Sequence, residues 1–564
     1  MAKKSQGVDE TAIPGQGQPL DEHPRPRRAR SQPAALQTAA AEAKAAAPPA
    51  ADHQCTPTRI KKTGSNGDEK NIKGADGKPS YAGNFSKGLP HDTFGEVDRA
   101  AYKTLLHALD NETDFDKITL GLGRKLTNPQ AGLATDPEGP DPKDLEILAA
   151  PKLESAEEAA EGVELYWMAL LRDVSFTDFA TNPDVATAAA EISGLADFTG
   201  PKIGGQVTPQ TIFRGCEMGD LAGPLVSQYL LHEIGYGPQT ISQKMKTVLP
   251  NHDYLTAFGD WLQIQNGGSP ATGDDFDSTP RYIRTMRDFC QWVHVDALYQ
   301  AYLNACLILL DSGAPFDAGN PYVKPHPDEK TQIGFGTFGG PHILSLVTEV
   351  ATRALKAVWY QKWFVHRRLR PEAYGGLIQV QLEGVGGVKR NYQIDPQILN
   401  SQALARTRAK HGSFLLPMAF PEGSPTHPAY GAGHATVAGA CVTVLKAWFD
   451  EDAPLPFTPK VPNADGTALV DYTGPDAGSL TVGGELNKLV ANIAIARNMA
   501  GVHWRSDYQQ SIGLGERVAL YILRKQRRDY NEKGWSFTLR RFDGTQVTVN
   551  RNGVFDQNGH QVDV

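Results

Sequence analysis

PHILSLVTEVATRALKAVWYQKWFVH, residues 341–366, decides the fold class. Ile343, Val347, Val350, Ala354 and Val358 recur at intervals of three and four, so they share one face of a helix. Pro341 suits the first turn, where a missing amide donor is harmless. The period returns in 434–449 through Val437, Cys441, Val444, Leu445 and Trp448. Further helices are predicted over 157–172, 218–231, 282–311, 485–500 and 508–526. Together they predict a mainly α fold, with helical bundles burying their apolar faces against one another.

The two ends of the chain break this pattern. WSFTLRRFDGTQVTVNRNGVFDQNGHQVDV, 535–564, alternates apolar and polar residues and carries D-G and N-G turns, which predicts a small C-terminal antiparallel β appendage. Residues 1–50 hold 13 Ala and 7 Pro and no aromatic, too little apolar surface to offset the entropy of ordering. The expected organisation is a disordered or loosely ordered arm over 1–56, then a single domain over 57–564 that includes the β appendage.

Net charge is −8 and the charges are mixed rather than blocked, which argues against nucleic acid and against an anionic membrane surface. Cys55, Cys216, Cys290, Cys306 and Cys441 lie far apart with no C-x-x-C pair, so neither a zinc site nor a disulfide scaffold is expected. No apolar h-region follows the N-terminal lysines, and no stretch approaches the length of a membrane span. The expectation is a soluble, unexported chain, cytoplasmic by default.

Three stretches carry chemistry. In KWFVHRRLRPEAYGG, 362–376, Lys362 lies near a helix end and Arg370 precedes Pro371, whose ring disfavours helical geometry before it; two fixed cations thus face one exit. In SPTHPAYGAGHATVAGACVTVLKAWF, 424–449, Gly431, Ala432 and Gly433 lead into a helix at His434, so free amides and the positive helix end face whatever lies in front. His427, followed by Pro428, stays outside that helix. In IARNMAGVHWRSDYQQSIGLGE, 495–516, a turn near Gly501 brings Arg497 and His503 to one point, and Asp507 four residues on is placed to fix the His503 tautomer. Each stretch alone is a common structural feature. In combination they predict a pocket for a tetrahedral oxyanion.

The combination K-x7-R-P, G-A-G-H and R-x5-H-x3-D resembles the superfamily that unites vanadium-dependent haloperoxidases with phosphatidic-acid-type acid phosphatases. The seven-residue spacing resembles the algal bromoperoxidases and their bacterial relatives. So do CEMGDLAGPLVSQYLLHEIGYGPQ (216–239), GDWLQIQNG (259–267), YIRTMRDFCQWVHVDALYQAYLNACLILL (282–310) and the stretch from Phe335 to Gly376. The likeness runs from about Ser86 to the end and implies a core of two four-helix bundles.

The resemblance implies vanadate as cofactor, with phosphate able to occupy the site as isolated, and His503 as the one ligand to the metal. It implies that Lys362, Arg370, Arg497 and the Gly433 amide hold the vanadate oxygens, that His434 is the acid/base for hydrogen peroxide, and that Lys362 adds polarisation. Asp296 is a candidate for orienting His434. Trp359 and His427 correspond to the halide side of the pocket, and histidine at the second position resembles bromide-preferring members, so bromide and iodide are expected. The implied partners are hydrogen peroxide, a halide, a small organic acceptor and further copies of the chain as a homo-oligomer. One departure is Ala432, where the family commonly has serine. An acid phosphatase with His503 as nucleophile, and a catalytically silent anion-binding bundle, are the competing readings.

Overall fold

A computed structural model of the protein describes residues 64–323 and 331–562. The expected arm over 1–56 lies outside the described residues. The helices that build the centre are α1 Ala156–Leu170, α2 Met286–Val295, α3 Gln300–Asp311, α4 Gly340–Tyr360, α5 Pro371–Leu382, α6 Gly433–Trp448, α7 Val482–Met499 and α8 Arg505–Gln526. The fold is mainly α, as the periodicity predicts.

The packing centres on α6, which lies against α4, α7 and α8. Every residue of α6 except His434 is buried, so it is a core helix with no solvent face. Val444 and Leu445 are fully buried and each contributes about 1.5–3 kcal/mol relative to an exposed side chain. The backbones of α6 and α8 nearly touch. A Cβ on Gly515 would sit 1.9 Å from the Thr436 carbonyl oxygen, and one on Gly439 would sit 2.2 Å from that of Ile512. This close approach fixes the first turn of α6, with His434, relative to that of α8, just after His503.

Three helix expectations need correction. The predicted helix over 218–231 is irregular chain with one short 3₁₀ turn, Gln228–Leu230, because Gly219 (φ 88°) and Gly223 (φ 67°) adopt left-handed backbone. The stretch 282–311 is two helices, α2 and α3, bent by 100° across a break at Asp296, which takes an extended ψ of 146°. The helix over 341–366 is α-helical only to Tyr360 and continues as a wider π-helical turn, Gln361–His366.

At the C-terminus, strands β1 Ser536–Arg540, β2 Gln546–Asn550 and β3 Gly553–Asp556 form an antiparallel sheet in the order β1-β2-β3. Phe537 pairs with Val549 and Leu539 with Val547, and all four face inward. Phe537 stacks on Trp448 at 5.6 Å, which docks the sheet on the end of α6. Cys290, Cys306 and Cys441 are free and buried, as a reduced core requires. Cys216, by contrast, is disulfide-bonded. Separation along the sequence does not limit which thiols meet in space. No single described helix is long and apolar enough to cross a membrane, although the bent pair α2–α3 passes that test jointly.

Candidate active site

The π-helical turn after α4 carries Lys362 inward to full burial, and Arg367 then turns the chain with a φ of 46°. π-turns often mark functional positions because they re-aim side chains by a fraction of a turn. Lys362 Nζ donates to the carbonyls of Pro428 (2.7 Å) and Ala429 (3.0 Å). An ammonium has three donors, so one remains for a ligand. Arg370 sits at the N-cap of α5 in extended conformation, as its place before Pro371 predicts. Its guanidinium donates to the His427 carbonyl (2.9 Å), His427 Nδ1 (2.9 Å), the Val502 carbonyl (2.6 Å) and His503 Nε2 (3.0 Å).

α7 ends at Met499 and Gly501 turns the chain back with φ 80°, so Arg497 and His503 face one another as the sequence predicts. Asp507 Oδ2 accepts both the Trp504 amide (3.0 Å) and His503 Nδ1–H (2.8 Å). A guanidinium only donates, so the contact with Arg370 makes His503 Nε2 an acceptor. Two partners on opposite sides therefore fix the neutral tautomer, with a lone pair on Nε2. Arg497 donates from Nη1 to the Val293 carbonyl (2.7 Å), lies 5.4 Å over the Phe420 ring, and keeps a buried Nε without a partner.

The Gly433 amide at the start of α6 meets no acceptor among the described residues. His434 Nε2–H donates to Asp296 Oδ1 (3.0 Å), and its side chain is 27% exposed. The break between α2 and α3 is what brings Asp296 there. Trp359 and His427 lie ring to ring at 4.7 Å, Lys362 Nζ is 5.7 Å from the Trp359 ring, and Trp359 Nε1 donates to the Thr127 carbonyl at 3.1 Å. A Cβ on Gly433 would approach Trp359 at 3.3 Å. Every residue singled out from the sequence thus stands in one contiguous region.

Charge is unbalanced in this region. Lys362, Arg370 and Arg497 are buried, and none has a carboxylate partner among the described residues. Burial first, and the Arg370 and Arg497 charges next, hold Lys362 well below the usual lysine range. Burial and Arg497 push Arg370 down to about 9, although Asp507 opposes them. Burial and the same cations hold His503 and His427 well below the usual histidine range. Buried charge without compensation is costly, and an anion with several oxygens removes that cost. The orphaned Arg497 Nε, the free Lys362 donor, the Gly433 amide and the His503 lone pair are the donor set an oxyanion of a metal requires. Vanadate fits these residues.

Ala432 supplies no hydroxyl. Its amide donates to Ser511 Oγ (2.8 Å) and its carbonyl accepts from Thr436 Oγ1 (2.8 Å). Sequence reasoning missed the carbonyls of Pro428, Ala429 and Val502, which hold the cations, because backbone acceptors carry no residue signature. It also missed Arg368, Glu158 and Glu161, which stand behind Asp507. Three arginines within four positions, Arg367 to Arg370, were the available signal.

Residues 344–532 match a family described as the VCPO second helical-bundle domain. The chain is 39% identical to a vanadium-dependent bromoperoxidase of Corallina pilulifera, over 84% of this chain and 91% of that one. It is 36% identical to a vanadium-dependent bromoperoxidase of Ascophyllum nodosum, over 86% of this chain and 89% of that one. This chain belongs to the vanadium-dependent bromoperoxidase family. The homohexameric structure of a second vanadate-dependent bromoperoxidase from Ascophyllum nodosum superposes with a TM-score of 0.79 at 30% identity, covering 98% of this chain and 96% of that one. Membership in this family gives the uncompensated cation pocket a chemical context, an oxyanion cofactor.

Proposed function

We propose that this chain is a vanadate-dependent haloperoxidase that uses hydrogen peroxide to oxidise halide, with bromide and iodide favoured, and that the product halogenates small organic acceptors. The observation that supports it most is the set of three buried cations without carboxylates around a histidine whose Nε2 lone pair is fixed. When bound, vanadate supplies Lewis acidity toward peroxide without a change in oxidation state. Lys362, Arg370, Arg497 and the Gly433 amide would hold its oxygens, and His503 Nε2 would bond the metal.

The chain's own residues perform the rest. Asp507 keeps the proton on His503 Nδ1, so Nε2 stays unprotonated at working pH. Asp296 holds the His434 ring through Nε2, which leaves Nδ1 to take the proton that peroxide must lose and to return one to the departing oxygen. Lys362 offers its third N–H to the reacting oxygen. The indole of Trp359 against the ring of His427 forms a polarizable wall suited to a large, soft halide, which supports bromide and iodide over chloride. The match to a homohexameric relative over nearly the whole chain supports a homo-oligomer here.

An acid phosphatase would use the same donors, and the bromoperoxidase relatives do not favour it. The test is peroxide-dependent bromination of an activated carbon acid, with and without added vanadate, in the native chain and in His503→Ala. Vanadate-dependent bromination lost in the variant is expected. Hydrolysis of a phosphomonoester without any bromination by the vanadate-loaded native chain would overturn the reading.

A further inference from the structure

The sequence Arg367-Arg368-Leu369-Arg370 sends its three guanidinium groups in three directions. Arg367 pairs with Glu69 through Nε and Nη2, both at 2.8 Å. Arg370 enters the anion pocket. Arg368 is fully enclosed behind it, and its environment is the reverse of the pocket's. Its Nη1 donates to Asp507 Oδ1 (2.8 Å) and Ser506 Oγ (2.8 Å), and its Nη2 donates to Glu158 Oε2 and to Glu161 Oε2 (3.1 Å). Ser506 is itself tied to Glu161, its amide on Oε1 (3.0 Å) and its hydroxyl on Oε2 (3.0 Å).

Asp507 therefore has its two oxygens divided between two tasks. Oδ1 faces Arg368, while Oδ2 accepts His503 Nδ1–H and the Trp504 amide. With Oδ1 occupied, the carboxylate cannot rotate, and Oδ2 stays in line with the imidazole. Arg368 also packs 4.7 Å from the Trp504 ring and 5.8 Å from the Tyr430 ring, between the chain that carries His503 and the chain that leads into Gly433. Its carbonyl accepts the amide of Ala429 (3.1 Å), whose own carbonyl, with that of Pro428, holds Lys362.

We infer that Arg368, anchored on α1 by Glu158 and Glu161, is a positioning residue that orients Asp507 and so keeps His503 Nε2 unprotonated, an acceptor that Arg370 holds in place of the metal. The proposal rests on the reading of His503 as the metal ligand. Without the guanidinium, Asp507 would face two glutamates with no intervening cation. Nothing would then hold Oδ1, the carboxylate would be free to rotate, and Oδ2 would leave the line of His503 Nδ1–H. The imidazole would then have no fixed tautomer, while Lys362, Arg370 and Arg497 would still attract anions.

That difference gives the test. Binding of vanadate and of inorganic phosphate to the metal-free full-length chain is measured by equilibrium dialysis. Vanadate depends on the Nε2 lone pair, whereas phosphate depends on the cations and amides alone. Arg368→Met should weaken vanadate by about 10–100-fold, the range for partners that orient a metal-bound histidine, and leave phosphate near its native affinity. Because Arg368→Met leaves buried carboxylates unbalanced, it is paired with the triple variant Arg368→Met/Glu158→Gln/Glu161→Gln, in which the cluster is nearly neutral and the same selective loss is expected. Arg368→Lys should recover part of the vanadate affinity, since one ammonium reaches Asp507 but not all three carboxylates. Native vanadate affinity in the triple variant, or a parallel fall of vanadate and phosphate, would overturn the proposal. His503→Ala in the same assay separates the two readings: unchanged vanadate binding there refutes the ligand assignment rather than the role of Arg368.

Discussion

Arg368 and Arg370 are two residues apart and live in opposite electrostatic worlds. Arg368 is met by Glu158, Glu161 and Asp507, and next to that cluster Arg505 is met by Glu164 at 2.8 Å through Nε. Arg370 meets carbonyls and two imidazoles and no carboxylate. Both are fully buried. The first cluster is closed in charge: its cation is matched by carboxylates, even though Arg368 Nε and Glu158 Oε1 keep no hydrogen-bond partner. The second is open: among the described residues its cations meet no carboxylate. The general lesson is that burial of a cation says little about function until its counter-charges are counted.

The comparison is broken most severely by opening the closed side. Glu164→Ala leaves the Arg505 guanidinium buried beside an empty place, and a loss of about 3–5 kcal/mol is expected, read as a fall in the urea midpoint at unchanged slope. The open side should behave differently, since its cations already lack carboxylates, and Lys362→Met should leave the stability of the ligand-free chain unchanged or higher.

The two regions should also answer pH with opposite signs. Next to the closed cluster Glu217 accepts the hydroxyl of Tyr508, the residue after Asp507 (2.8 Å), and burial, then the Asp220 charge, push it up to about 7. Between about 4.5 and 7 the native state thus holds a proton there that the unfolded chain has released, so this contribution is lost as pH rises through 7. In the open region burial and neighbouring cations hold His427 and His503 below the usual value of 6.5. Below 6.5 the unfolded chain binds protons that the native state refuses, so stability falls with acid, by about 1.4 kcal/mol per pH unit for each such group. Urea midpoints from pH 4.5 to 8 should form a dome that peaks at about 6.5, and Glu217→Gln should abolish the fall from there to about 7 and steepen the acid side.

A ligand should convert the open region into a closed one. Vanadate at a hundred times its dissociation constant should stabilise the native chain by about 2.7 kcal/mol, visible as a rise in melting temperature. The acid side of the dome should lose only the His427 share of its slope, because the bound anion favours a protonated His427 while His503, engaged through Nε2, still refuses the proton. Lys362→Met should show a smaller rise at the same vanadate concentration.

The smallest effect concerns Ala432. Ala432→Ser places a hydroxyl at the mouth of the helix that starts at Gly433. One more hydrogen bond to a charged group contributes about 1.5 kcal/mol at the low end of its range, so vanadate should bind roughly tenfold more tightly. An unchanged affinity would mean that the surrounding donors already satisfy the anion.

The sequence by itself determined the helical class, the C-terminal sheet and which residues gather in the pocket. Periodicity marks a helix face because only 3.6-residue spacing puts Ile343, Val347 and Val350 together, and alternation marks the sheet for the matching reason. The pocket was legible because its residues occur in short motifs, with Pro371, Gly433 and Gly501 punctuating the turns that aim them. Only the tertiary structure decided which arginine is which. Arg368 and Arg370 read alike in the chain, and the partners that distinguish them come from α1, more than 200 positions away, and from the backbone of the loop at His427. The same holds for the bend at Asp296 and the π-turn at Lys362. Both are local departures from helical geometry that long-range packing and hydrogen bonding stabilise, and local sequence pattern does not encode either one.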